Sequence, residues 1–98
     1  MSLGGKGVIS VLSNLLPAET SAMCHKYLDG DMQGSLDMQI KYLDLVDSLF
    51  CEVNPIPAKA AMAHMGYGEN VLRLPLTPME PAHEQVLLTC MREAGINV

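Results

Sequence analysis

Few side chains in this sequence have the means for chemistry, and they are scattered. Lys6 lies in Gly4-Gly5-Lys6-Gly7, and a lysine of lowered pKa can form a Schiff base or hold a phosphate. The sequence gives Lys6 no second cation and no apolar pocket, so it reads as a solvated turn lysine. Its glycines precede an apolar run of strand character, whereas a phosphate loop follows a strand and opens a helix. Cys24-His25, His64 and His83 invite a metal or nucleophile reading, yet no pair has the C-x2-C or H-x3-H spacing that puts two ligands on one ion. Adjacency of Cys24 and His25 says nothing about the geometry a catalytic dyad needs. Asp29, Asp31, Asp37, Asp44, Asp47 and Glu52 are opposed by Lys41 alone, but they spread over several helical turns as a solvated face would. The eight methionines sit mostly at helical core spacing, which favours packing over an adaptable groove. Judged by chemistry alone, the chain reads as an interaction or structural module.

The elements that must carry these residues are marked by periodicity and by Pro and Gly. Val8, Ile9, Val11 and Leu12 form a short β-branched run, apolar on both faces, as in a strand of a parallel sheet. One strand cannot stand alone, and only Val71-Leu72-Arg73-Leu74 has comparable character before Pro75 and Pro78 intervene. Pro17, Glu19 and the stop at Asp29-Gly30 predict a helix over 17–28 that buries Ala18, Ala22, Met23 and Leu28. Asp31 as N-cap and Leu36, Ile40, Leu43, Val46 and Phe50 at three- and four-residue steps predict a long amphipathic helix from about 32 to 51. The Asn54-Pro55-Ile56-Pro57 segment ends it and starts an alanine-rich helix near Pro57, closed by Gly66 or Gly68. Pro81 opens a last helix, with Val86, Leu87, Cys90, Met91 and Ala94 as its buried stripe and Gly95 as its stop.

Composition excludes several classes. Ninety-eight residues are too few for a complete eight-stranded β/α barrel, which takes about 250 residues. With 49% hydrophobic and 17% charged residues the chain is too apolar for disorder, and no apolar run approaches a membrane span. A net charge of −5 without basic clusters argues against nucleic acid and anionic membranes as partners. Three widely spaced cysteines, Cys24, Cys51 and Cys90, suit reduced thiols better than a disulfide frame. The first residues lack the hydrophobic stretch and cleavage pattern of a signal peptide, so a cytoplasmic location is expected.

Three segments read together add a resemblance: GGKGVISVLSN from Gly4 to Asn14, NPIPAK from Asn54 to Lys59, and LRLPLTP from Leu72 to Pro78. In this order and spacing the chain resembles the C-terminal third of the dihydrodipicolinate synthase family, from Met1 to its end, and the closing Ala94-Gly95-Ile96 fits as well. The resemblance implies a chain that is mainly α in isolation, with residues 1–30 forming the last strand and helix of a TIM (β/α)8 barrel. Residues 31–98 would then form a three-helix C-terminal domain.

The family condenses pyruvate with aspartate semialdehyde, on the way to lysine and diaminopimelate, through a Schiff base on a lysine of the sixth strand. That lysine, the tyrosines of the proton relay, the substrate-binding arginine and the lysine-feedback site are all expected upstream of Met1. Lys6 is therefore not the nucleophile. The one active-site position that carries over is Ile9, whose backbone carbonyl would lie near the Schiff-base lysine. No cofactor or metal is implied.

The parent is expected to be a lyase, and this chain alone to be silent. Whether it begins at an internal methionine, carries an added leader or is a truncated reading frame is left open. The motifs favour this family over sialic-acid lyases and other pyruvate-dependent aldolases. With Val8, Ile9 and Val11 uncovered, the chain is expected to form homo-oligomers. The alternative reading is a non-catalytic helical oligomerisation module.

Overall fold

Prolines begin, and glycines end, three of the five helices. A computed structural model describes residues 1–98 and contains five α-helices, one 3-10 turn and no β-strand. Helix α1 (Pro17–Leu28) starts at a proline and carries Glu19 in its first turn, where the missing amide costs nothing and a carboxylate faces the positive helix end. Helix α2 (Met32–Lys41) is capped by Asp31, whose carboxylate accepts the Gly34 N–H at 2.9 Å. Then follow α3 (Leu43–Ser48), α4 (Ile56–His64) and α5 (Pro81–Glu93).

Three of the five helices end in the same way. After α1, α4 and α5 the glycines Gly30, Gly66 and Gly95 take φ of 97°, 89° and 88°. The residue after each glycine donates its N–H back across the last turn: Asp31 to Lys26 O at 2.8 Å, Tyr67 to Met62 O at 3.0 Å, Ile96 to Met91 O at 2.9 Å. This is the Schellman closure, and after α5 it is reinforced by burial of both Ile96 and Met91.

Two sequence expectations are corrected. The continuous helix expected over about 32–51 is broken at Tyr42, whose φ of −100° and ψ of 5° interrupt the α-helical course. Tyr42 is buried in the main hydrophobic cluster, as are Leu45 and Leu49. The region after residue 31 thus holds four helices rather than three. The expected strand through Val8 and Ile9 is absent from the isolated chain: residues 5–10 have no ladder, and none of their N–H groups donates to a backbone carbonyl. A strand exists only through its pairing. The other candidate, Val71 to Leu74, is held elsewhere, since Lys59 Nζ donates to Val71 O at 2.7 Å and Leu76 N–H turns back onto Arg73 O.

The core occupies one half of the molecule. Leu45 and Leu49, on and just after α3, and Leu87 and Met91 of α5 are fully buried, with Pro57 of α4. Ala60 and Ala61, also buried, keep the α4 surface smooth where it meets α5. Leu12 of the 3-10 turn Leu12–Asn14, together with Leu15, completes this cluster. The other half is thin. Helices α1 and α2 pack on each other, yet α1 buries only Thr20 and α2 buries nothing. The stripe expected to be buried on the second helix is half open, with Leu36 at 50%, Ile40 at 61% and Phe50 at 55% exposure. Its period is helical, but no layer covers it. The radius of gyration, 14.4 Å, accordingly exceeds the ~13 Å of a compact 100-residue domain.

Candidate functional site

A groove lies on the thin half. The segment through Val8, Ile9 and Val11 forms one wall; Thr20, Met23 and Cys24 of α1 form the floor side; Ser35 and Gln39 of α2, with Val46 and Phe50, close it. Ser35 Oγ donates to Met23 O at 2.9 Å and so locks α2 onto α1 at the groove. The N-terminal wall is anchored by a reciprocal pair: Ser13 N–H donates to Ser10 Oγ at 3.1 Å and Ser13 Oγ to Ser10 O at 2.7 Å. Thr20 Oγ1 is satisfied inside its own helix by Leu16 O at 2.8 Å.

The groove measures about 360 Å³, near the lower end of the ~300–1,000 Å³ range of small-molecule sites, and no charged side chain lines it. An anionic substrate needs a cation or a cluster of N–H donors to replace its water. No Lys or Arg lines this groove; the cationic group at its wall is the α-ammonium of Met1. Ile9, the carried-over position, stands at its edge with its side chain fully exposed, and its carbonyl accepts no hydrogen bond within the chain.

The remaining candidates are dispersed. Lys6 is exposed beside a shallow second hollow with Ser13, Pro17 and His25. Lys26 pairs with Asp31 at 3.6 Å, Lys41 lies 5.2 Å above the Tyr42 ring, and Lys59 is committed to Val71 O. Cys24 is partly buried in the groove wall and His25 is exposed, with no hydrogen bond between them. No three His, Cys, Asp or Glu side chains gather where they could hold a metal ion. Cys51 is exposed, yet partial desolvation, and then the neighbouring Glu52 charge, push its thiol above the ordinary range, which works against a thiolate nucleophile.

Three polar links escaped the sequence reading. Glu52 Oε2 accepts the Glu80 N–H at 3.0 Å and lies 2.8 Å from His83 Nδ1, which ties the turn after α3 to the start of α5. His64 Nε2 is 2.7 Å from Glu84 Oε1, joining the end of α4 to α5. Lys59 links the NPIPAK and LRLPLTP segments through Val71. Their separations of 31, 20 and 12 residues carry no local signal. These contacts are clasps between elements and lie away from the groove.

The dihydrodipicolinate synthetase family model matches residues 1–94. The chain belongs to that family. The dihydrodipicolinate synthetase family also supplies relatives at high identity. A 4-hydroxy-tetrahydrodipicolinate synthase of Lachnoclostridium phytofermentans is 51% identical over 96 residues, which are 98% of this chain and 33% of the relative. Dihydrodipicolinate synthase from Thermotoga maritima superposes with a TM-score of 0.95 at 41% identity, covering 98% of this chain and 32% of that one. The chloride-inhibited enzyme from Acinetobacter baumannii, solved with pyruvate, gives a TM-score of 0.92 at 38% identity over 97% of this chain and 33% of its own. The chain thus spans about a third of the length of the family members it matches, in the conformation that third has within them. No helix is long and apolar enough to cross a membrane.

Proposed function

We propose that these 98 residues are the C-terminal portion of a cytoplasmic lyase that condenses pyruvate with aspartate semialdehyde through a lysine Schiff base, in the biosynthesis of diaminopimelate and lysine. In this reading residues 1–30 are the last strand and helix of the barrel and residues 31–98 its helical C-terminal domain. Ile9 contributes its backbone carbonyl beside the Schiff-base lysine, which is carried by the part of the family's length that the chain does not span. The chain by itself is catalytically silent.

The observation that carries this reading is the match over residues 1–94 combined with the fate of the four lysines. Lys26, Lys41 and Lys59 are engaged elsewhere, and Lys6 stands in solvent. A Schiff base at neutral pH needs an amine whose pKa is lowered by desolvation or a second cation. None of the four lines the groove. The free carbonyl of Ile9 fits a group waiting for a donor from another part of the fold. Borohydride reduction in the presence of pyruvate, followed by mass spectrometry of the intact chain, is expected to return the unmodified mass. A pyruvyl adduct on Lys6 would overturn the claim of silence.

Self-association is the second reading, favoured by the exposure of Val8 and Ile9 beside unpaired backbone groups. In isolation the chain is expected to sediment as a dimer or larger; a compact monomer at high concentration contradicts this.

A further inference from the structure

We infer that the connection between α4 and α5, from Gly68 to Pro78, is a strap that opens and closes as one unit while the helices stay folded, and that the ammonium group of Lys59 is its latch. None of the strap's residues lines the groove, so the inference stands apart from the proposed chemistry.

The ends of the strap are fixed and its middle is not. On the α4 side the Tyr67 N–H closes onto Met62 O at 3.0 Å; on the α5 side Met79 is buried and Glu52 holds the Glu80 N–H. Between these ends the backbone bonds are local, Val71 N–H to Glu69 O and Leu76 N–H to Arg73 O. A single hydrogen bond reaches another element, from Lys59 Nζ to Val71 O at 2.7 Å. Lys59 projects from a well-anchored stretch of α4, since Pro57, Ala58, Ala60 and Ala61 around it are buried. Apolar packing adds less: Leu72 and Leu76 are partly buried against the core, while Val71 and Leu74 are 61% and 87% exposed. Asn70 works against closure, because its Oδ1 is buried without a hydrogen-bond partner and regains water when the strap lifts. Gly68 supplies a hinge, with a φ of 134° that L side chains rarely adopt and no atom within 4 Å of where a Cβ would stand. Segments with few buried contacts and few backbone hydrogen bonds to the rest of a molecule open at lower free energy than its core. Here one charge-assisted bond sets how often that happens.

Amide hydrogen exchange of the 98-residue chain, read residue by residue by NMR, tests this. The Leu76 amide is expected to exchange faster than those of Leu87 and Met91, at a rate that low urea leaves flat while it speeds the two helix amides. Lys59→Met keeps the aliphatic stem and removes the cation. It is expected to speed Leu76 exchange by roughly fivefold or more, with Leu87 and Met91 staying within about twofold of their starting rates. Lys59→Arg keeps a cationic donor and is expected to hold Leu76 within about twofold of the parent chain. A protease specific for arginine gives a second reading, because Arg73 lies in the strap, Arg92 lies in α5 and the chain has no other arginine. Cleavage is expected first at Arg73, and sooner in Lys59→Met than in the parent chain. Equal exchange at Leu76 and Leu87 with the same urea dependence, a Lys59→Met variant without effect on Leu76, a Lys59→Arg variant as fast as Lys59→Met, or first cleavage at Arg92 overturns the inference.

Discussion

Cys51 follows α3, next to the carboxylate that clasps the start of α5. Desolvation and then the Glu52 charge both disfavour its thiolate, so the thiol stays protonated at a pH where an ordinary cysteine has begun to ionise. Iodoacetamide should label Cys51 more slowly than N-acetylcysteine at mildly alkaline pH, and the gap should close only as pH climbs above the ordinary thiol range. Faster labelling of Cys51 would contradict the assignment. The sign for stability follows from the same shift. Above the ordinary thiol pKa the unfolded chain has lost a proton that the folded chain retains, so Cys51 subtracts stability as pH rises through that window and has no effect below it. The other residues singled out for chemistry are individually unremarkable: Lys6 is exposed and Cys24 and His25 do not engage each other. Their types were visible in the sequence, and so was the absence of any spacing that would unite them.

At the scale of elements, helix ends were the most legible feature because Pro and Gly act through local backbone geometry. Pro17, Pro57 and Pro81 lie at the starts of α1, α4 and α5, and Gly30, Gly66 and Gly95 close the same three helices. A Cβ at Gly95 meets no atom within 4 Å, so a side chain there is opposed only by the positive φ of 88°. Gly95→Ala is therefore expected to lower stability by about 1 kcal/mol, the cost of placing an L side chain in left-handed backbone. Urea unfolding measures it; an unchanged midpoint would show that the closure after α5 contributes nothing. The break at Tyr42 was not legible, because neither Pro nor Gly marks it; the phenol ring is buried in the same cluster as Leu45 and Leu49. The strand through Val8 and Ile9 illustrates the opposite case. Its β-branched pattern is real, but pairing needs a neighbour, and none of these 98 residues supplies one.

At the scale of the whole molecule, the chain divides into a packed half and an open half. Burial follows neighbours: α4 and α5 pack as the sequence suggested because α5 lies against both α3 and α4, although Val86 of the expected α5 stripe is exposed and Leu88 takes its place in the core. Leu36, Ile40 and Phe50 have a core residue's spacing without a core. Periodicity reports which face of a helix is apolar; it does not report whether anything lies against that face. The chain spans about a third of the length of the family members it matches, and no Lys or Arg side chain lines its groove. The central claim is that these residues hold part of the barrel and its helical domain while the reacting amine lies outside them. Peptide mapping after borohydride reduction with pyruvate, run on this chain and in parallel on the full-length Lachnoclostridium phytofermentans enzyme, tests it most directly. The account predicts a single modified lysine in that enzyme, outside the third that this chain matches, and none among Lys6, Lys26, Lys41 and Lys59; an adduct on any of those four would contradict it.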